Sequence, residues 1–187
     1  ATDKCLNDGS QTTRRVEGSW GTKVDRLISD VLEVKESGEK SIVFSQWDDM
    51  LDIIEEALCF NKISHVRSKG GKRFGEYIKQ FRSDNTSILI LNIKNGAEGL
   101  TLIEASHIFI LEPLLNHGLD IQAINRIHRI GQTSKTYVHR YIVDNTIEIK
   151  IDKLRMERQE NQIEDELQEK KKSFCAGGMD GGFSQSE

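Results

Sequence analysis

The densest chemistry in this sequence is the stretch Gln122-Ala-Ile-Asn-Arg126-Ile-His-Arg129-Ile-Gly131-Gln132. On a helix, Gln122, Arg126 and Arg129 share a face with Asn125 beside them, while Ala123, Ile124 and Ile127 turn the other way. No carboxylate occurs between Ile121 and Val143, and Lys135 and Arg140 add further positive charge there. A guanidinium is planar, keeps its proton and grips a phosphate through two oxygens, so the pair suits a site that stabilises a phosphate and its transition state. The plain alternative is two solvated surface arginines paired with distant acids. His128, adjacent to Ile127, turns to another face with no nucleophile nearby, which suits neutral packing or another non-catalytic role better than catalysis.

Charge is distributed unevenly around that stretch. The chain has 187 residues, 26 Lys and Arg against 30 Asp and Glu, and a net charge of −4, which argues against a wholly basic nucleic-acid binder. Yet Lys62, Arg67, Lys69, Lys72, Arg73, Lys79 and Arg82 face only Glu76 within their own segment, and acids collect in 48–56 and 157–169. Gathering one sign locally is how an acidic protein builds an anion site. The longest apolar runs, such as Ile88 to Leu91 and Ile108 to Leu111, fall far short of the roughly 20 residues that cross a bilayer. No basic-then-apolar leader opens the chain, so secretion is not indicated. Cys5, Cys59 and Cys175 make neither a disulfide framework nor a metal spacing, which fits a reducing compartment.

The elements that must hold the arginines follow from hydrophobic period. Residues 1–19 are polar and Gly-dotted, and read as a flexible leader. Val24, Leu27, Ile28, Val31 and Leu32 recur at helical spacing, and Ser37-Gly38 ends that helix. Ser41 to Ser45 reads as a buried strand, after which Asp48 or Asp49 is expected to cap a helix through Leu58. Ile63 to Val66 and Ser87 to Ile93 read as further strands, with a helix from Lys72 to Phe81 between them. A loop Asn95-Gly96-Ala-Glu-Gly99 comes next, then a strand from His107 to Leu111, a helix from about Asp120 to Ile130, and a strand from Thr136 to Val143. Strands alternating with helices predict an α/β fold: a three-layer lobe of residues 20–150 with a central mostly parallel sheet, helices on both faces and ligands at the carboxyl ends of the strands. The arginine surface is expected at that rim. A long C-terminal helix follows, with a charged extension at 151–172 and a disordered tail at 173–187.

QAINRIHRIGQ resembles motif VI, QxxxRxxRxGQ, of the helicase-like ATPases of the Snf chromatin-remodelling family, whose lobes are RecA-like. In order around it, GTKVDRLISDVLEV resembles the opening helix of the second lobe, SIVFSQWDDMLDIIEEAL resembles motif IV, and ILILNIKNGAEGLTLIEASHIFILEP resembles motif V with the next strand. The resemblance implies that Arg126 and Arg129 are arginine fingers for the γ-phosphate of ATP, which a first RecA-like lobe holds with Mg²⁺. It implies that Gln122, Gly96 and Gly99 serve the nucleotide, Gln122 by positioning it or coupling it to motif V. It implies contacts to double-stranded DNA from Ser45, Gln46, Lys69, Lys72, Arg73, Lys94 and Asn95. The run LEPLLNH and the short SKGGKRF loop look most like the branch of the family that carries PHD and RING modules, nuclear ubiquitin ligases with a DNA-dependent ATPase in replication-coupled repair. Nucleosomes and the ubiquitin machinery are the further partners so implied, and the nucleus the location.

Gly70-Gly71-Lys72-Arg73 is not a GxxxxGK[ST] phosphate loop, so the isolated chain is not expected to hydrolyse ATP. Nor do three scattered cysteines with His65, His107, His117, His128 and His139 supply the paired zinc ligands of a RING. An ATPase-dead RecA-like scaffold for DNA or chromatin stays open as an alternative. A Rossmann enzyme is disfavoured because Phe44-Ser45-Gln46-Trp47 stands where GxGxxG would follow the first strand.

Overall fold

The computed structural model describes residues 2–3, 16–83, 85–94, 101–129 and 131–176. In chain order the elements are β1 (Thr2–Asp3), α1 (Thr22–Glu36), β2 (Ser41–Ser45), α2 (Asp48–Phe60), β3 (His65–Ser68), a 3-10 turn (Gly71–Arg73), α3 (Phe74–Arg82), β4 (Ile88–Asn92), β5 (His107–Ile110), α4 (His117–Ile124), β6 (Tyr137–Arg140) and α5 (Ile147–Ala176).

Strands β2 and β4 are buried along their whole length, the pattern of a sheet covered on both faces. The strand order is β1-β6-β5-β2-β4-β3, and every pairing is parallel. The mostly parallel sheet of the sequence reading is thus wholly parallel among the described residues. Alternate residues divide between two cores, as the period of a strand requires. Ile42, Phe44, Leu89, Leu91, Ile108 and Ile110 pack with Phe74, Ile78 and Phe81 of α3 and Ala123 of α4. Val43, Ile88, Ile90 and Phe109 pack on the opposite face with Leu27, Ile28 and Val31 of α1 and Leu51, Ile54 and Leu58 of α2.

The leader was expected to run to residue 19, but Val16 packs against the second core and the Glu17 backbone N–H donates to the Asn61 side chain at 2.9 Å. Thr2 and Asp3 pair beside Tyr137 and Val138. The cap of α2 also differs. Trp47 occupies the cap position, with Asp48 and Asp49 in the first turn, where the positive end of the helix favours carboxylates. Helix α5 runs past the expected boundary to Ala176; residues 4–15 of the leader and 177–187 of the tail lie outside the described residues.

Helix α4 begins earlier than expected, at His117 rather than about Asp120, and ends at Ile124 rather than near Ile130. The bonding beyond it tightens, with Arg126 N–H and Ile127 N–H donating to the carbonyls of Ala123 and Ile124. The Arg126 carbonyl, which a continuing helix would bond internally, instead accepts from Leu102 N–H at 2.8 Å.

Candidate functional site

Because the strands are parallel, their carboxyl ends lie on one edge. Lys69 follows β3, Gln46 follows β2, Lys94 follows β4 and Glu112 follows β5 there. Lys69, Lys72, Arg73 and Lys94 are exposed at the β3–β4 corner. Arg73 is paired with Glu76 at 3.0 Å, and the Lys94 ammonium sits 5.7 Å from the ring centre of Trp47, itself 57% exposed. This corner is a positively charged fringe with an aromatic face, suited to a nucleic-acid backbone.

Ser45 does not join it. Its side chain is buried and its hydroxyl donates to Glu112 Oε1 at 2.7 Å, while the backbone N–H of half-buried Gln46 donates to Glu112 Oε2 at 3.2 Å. The carboxylate of Glu112 thus fills the place where a phosphate oxygen was expected beside Ser45. Burial pushes the Glu112 carboxyl up from its ordinary value, against the opposing pull of those hydrogen bonds and of Lys23. Arg67 is another departure. It is buried, bonded to Asp52, to Glu55 at 3.0 Å and to the Asp48 carbonyl at 3.2 Å. Burial opposes its charge, but the two carboxylates outweigh that cost and hold its proton more firmly than usual. Arg82 pairs with Glu104 at 2.7 Å. Among the described residues, Arg67, Arg73 and Arg82 of the basic stretch are paired with carboxylates, whereas Lys69 and Lys72 are exposed to solvent.

The arginine segment lies elsewhere. A helix following β5 must run back toward the amino end of β6, so Arg126 and Arg129 lie past α4 and against Thr101 and Leu102 rather than at the carboxyl edge. Arg129 is exposed and its Nη1 donates to Thr101 Oγ1 at 2.7 Å; Arg126 is half-buried and held by its carbonyl to Leu102. The side chain of Gln132 continues the seam, donating from Nε2 to the carbonyls of Ile103 at 3.0 Å and Ala105 at 2.9 Å, with its Oε1 accepting from Ser134 N–H. Ile127 anchors the segment, fully buried in the first core. Gln122 is exposed on α4. The structure therefore brings Arg126 and Arg129 together on one short stretch, residues 101–102, and sets them apart from the lysines of the carboxyl edge. Gly96, Gly99 and Asn95 lie outside the described residues.

Sequence reasoning missed the clamp role of Gln132, the carboxylate of Glu112 that accepts from Ser45 and Gln46, and Asp120. Asp120 is buried on α4 and bonded to Arg140 Nη2 at 2.7 Å.

A wholly parallel three-layer sheet, with paired arginines on a turn after the helix that follows β5, defines a RecA-like lobe. The chain belongs to the helicase conserved C-terminal domain family, whose model matches residues 22–131. Within it, the chain is a C-terminal lobe of the SNF2 helicase kind. It is 42% identical over 136 residues to the E3 ubiquitin-protein ligase SHPRH of Homo sapiens, covering 71% of this chain and 8% of that protein. It is 34% identical over 150 residues to the DNA repair protein RAD5A of Arabidopsis thaliana, covering 77% of this chain and 15% of that protein. Among solved structures it matches the C-terminal part of the Fun30 ATPase domain at a TM-score of 0.68 and 28% identity, over 74% of this chain and 47% of that one. The chain thus spans a small part of the length of these curated relatives.

Proposed function

We propose that this chain is the second motor lobe of a DNA-stimulated ATPase that translocates on duplex DNA in DNA repair. The observation that carries the reading is the complete QxxxRxxRxGQ spacing, with both arginines fastened to residues 101–102 immediately after the Gly-rich loop. Arg126 and Arg129 would act on ATP bound by the first RecA-like lobe of the same polypeptide, which also holds Mg²⁺, the ion that neutralises phosphate charge. A guanidinium needs no proton transfer to stabilise the phosphoryl charge that develops, and a finger of this kind supplies about 10³ to 10⁵ in rate. Gln122 serves the nucleotide from α4. Lys69, Lys72, Arg73 and Lys94 hold the duplex through its phosphates, with little base readout. The ubiquitin machinery, to which the name of one relative points, meets other segments of the parent protein; nucleosomes and a nuclear location belong to the same proposal.

The test is made in a protein containing both lobes. Arg126→Ala or Arg129→Ala leaves ATP binding largely intact and lowers DNA-stimulated turnover at least about a hundredfold. Undiminished turnover in both variants refutes the finger assignment.

A further inference from the structure

The charged side chains joining α4, β6 and α5 are outside the motifs that carry the proposed function, and they form a closed group. Asp120 is 2% exposed, and its Oδ2 accepts from Arg140 Nη2 at 2.7 Å and from Arg155 Nη1 at 3.5 Å. Arg155 is itself buried and donates from Nε to Asp152 Oδ1 at 2.8 Å. Ile110, Leu114 and Ile142 help to wall the crevice that holds these four groups. Two carboxylates offset two guanidiniums, which is the condition under which charges tolerate burial, and removing any one leaves the others uncompensated.

The geometry ties this group to the finger segment. From Asp120 the chain continues through the end of α4 in short-range bonding, Asn125 N–H to Ile121 O, Arg126 N–H to Ala123 O and His128 N–H to Ile124 O, which couples the finger turn to the helix. The axial distance from Asp120 to Arg126 is about 9 Å at the helical rise. A tilt of about 10° at Asp120 therefore carries Arg126 by about 1.5 Å, and misplacing a reacting group by 1 Å can cost about a hundredfold in rate. Helix α5 is anchored a second time near its start, where Lys23 Nζ bonds Glu148 at 2.6 Å and the Leu111 carbonyl at 2.7 Å. We propose that Asp120, bridged to Arg140 and Arg155, is a positioning residue for Arg126, and that α5 is the lever through which this position is set. The proposal rests on the finger reading above.

The experiment uses the two-lobed protein with ATP and duplex DNA. The variants are Asp120→Asn, Arg155→Lys and Arg126→Ala, singly and paired, each checked by thermal melting. Arg155→Lys keeps the charge, but an ammonium does not span Asp120 and Asp152 as a guanidinium does. Where Asp120→Asn fails to fold, Arg155→Lys decides. The expected result is a fall in kcat of about 10- to 100-fold with KM for ATP within about threefold, and no further fall when either change is added to Arg126→Ala. Parental kcat in folded Arg155→Lys overturns the proposal, as does a paired variant whose loss is the product of the separate losses. Parental turnover in Arg126→Ala removes the finger reading itself, and the positioning role with it.

Discussion

Gln132 is where the fastening of the arginine segment can be measured without ATP. Its side-chain amide donates to two carbonyls, Ile103 O and Ala105 O, and its own oxygen accepts from Ser134 N–H. Gln132→Glu keeps size and shape and replaces the donating nitrogen with an oxygen facing the same carbonyls. Each lost hydrogen bond removes about 0.5–1.5 kcal/mol, so two give about 1–3 kcal/mol before repulsion is counted. Gln132→Met, also of similar length, loses the donations without adding charge and falls between parent and Gln132→Glu. In urea, with a slope of about 1–3 kcal/mol per molar, the midpoint of Gln132→Glu drops by about 1 M. Trp20, half-buried and edge-on to Phe60 at 6.0 Å, reports the transition by fluorescence. An unchanged midpoint in Gln132→Glu refutes the clamp, and with it the account of how residues 101–105 hold the turn.

Two predictions concern pH. His107 contacts His139 at 2.9 Å and Glu39 at 2.7 Å, and burial lowers its pKa below the ordinary imidazole value, against the opposing pull of Glu39. An unfolded imidazole then takes a proton more readily than the folded one. Stability from this group is full above about pH 6.5 and is lost as pH falls through the folded value. The urea midpoint of the parent therefore drops more between pH 7 and 5.5 than that of His107→Phe, and parallel drops would show that the histidine does not contribute. Glu112 has the opposite sign: its raised carboxyl pKa gives stability that is present below the ordinary value and lost as pH rises through the folded one. Glu112→Gln at pH 7 is accordingly no less stable than the parent. Glu112→Ala, which leaves Ser45 Oγ and Gln46 N–H without their acceptor, loses about 1–3 kcal/mol. Equal losses in the two variants would show that charge at this position is not what burial penalises.

The strands were legible because β2, β4 and β5 are buried on both faces and so appear as continuous apolar runs. The end of α4 was not, because Ala123, Ile124 and Ile127 keep helical spacing through the point where the helix stops. There the Arg126 and Ile127 N–H groups turn to the third carbonyl back rather than the fourth, a tightening with no signature in the residue types. Arg67 looked like part of a phosphate-binding stretch. Asp52 and Glu55, one helical turn apart on α2, were the signal that an inward-facing cation on the next strand would be claimed by them. Glu112 and Asp120 carried no such signal, since each is a lone carboxylate whose partners are distant in the chain.

On the proposed reading, a motor must make events at its DNA surface felt at its nucleotide, and the residues assigned to the two in this lobe lie in different places. The lysine fringe sits at the carboxyl ends of β3 and β4; the arginines sit on the turn after α4. The chain that leaves β4 at Asn92 is covalently continuous with Thr101, Leu102, Ile103 and Ala105, and these are the residues to which Arg129, the Arg126 carbonyl and Gln132 are bonded. On the proposed reading, residues 101–105, in the described part of the chain between Lys94 and β5, are those through which the fingers are held. Asp120 holds the other side of the same turn against β6 and α5. A segment gripped from both sides has few ways to move except as a unit, so loosening the Gln132 side should uncouple DNA stimulation from turnover while loosening the Asp120 side should lower turnover with and without DNA. Comparing basal and DNA-stimulated kcat for Gln132→Met and Arg155→Lys separates the two, and identical ratios of stimulated to basal rate in both variants would show that the connection carries no such signal.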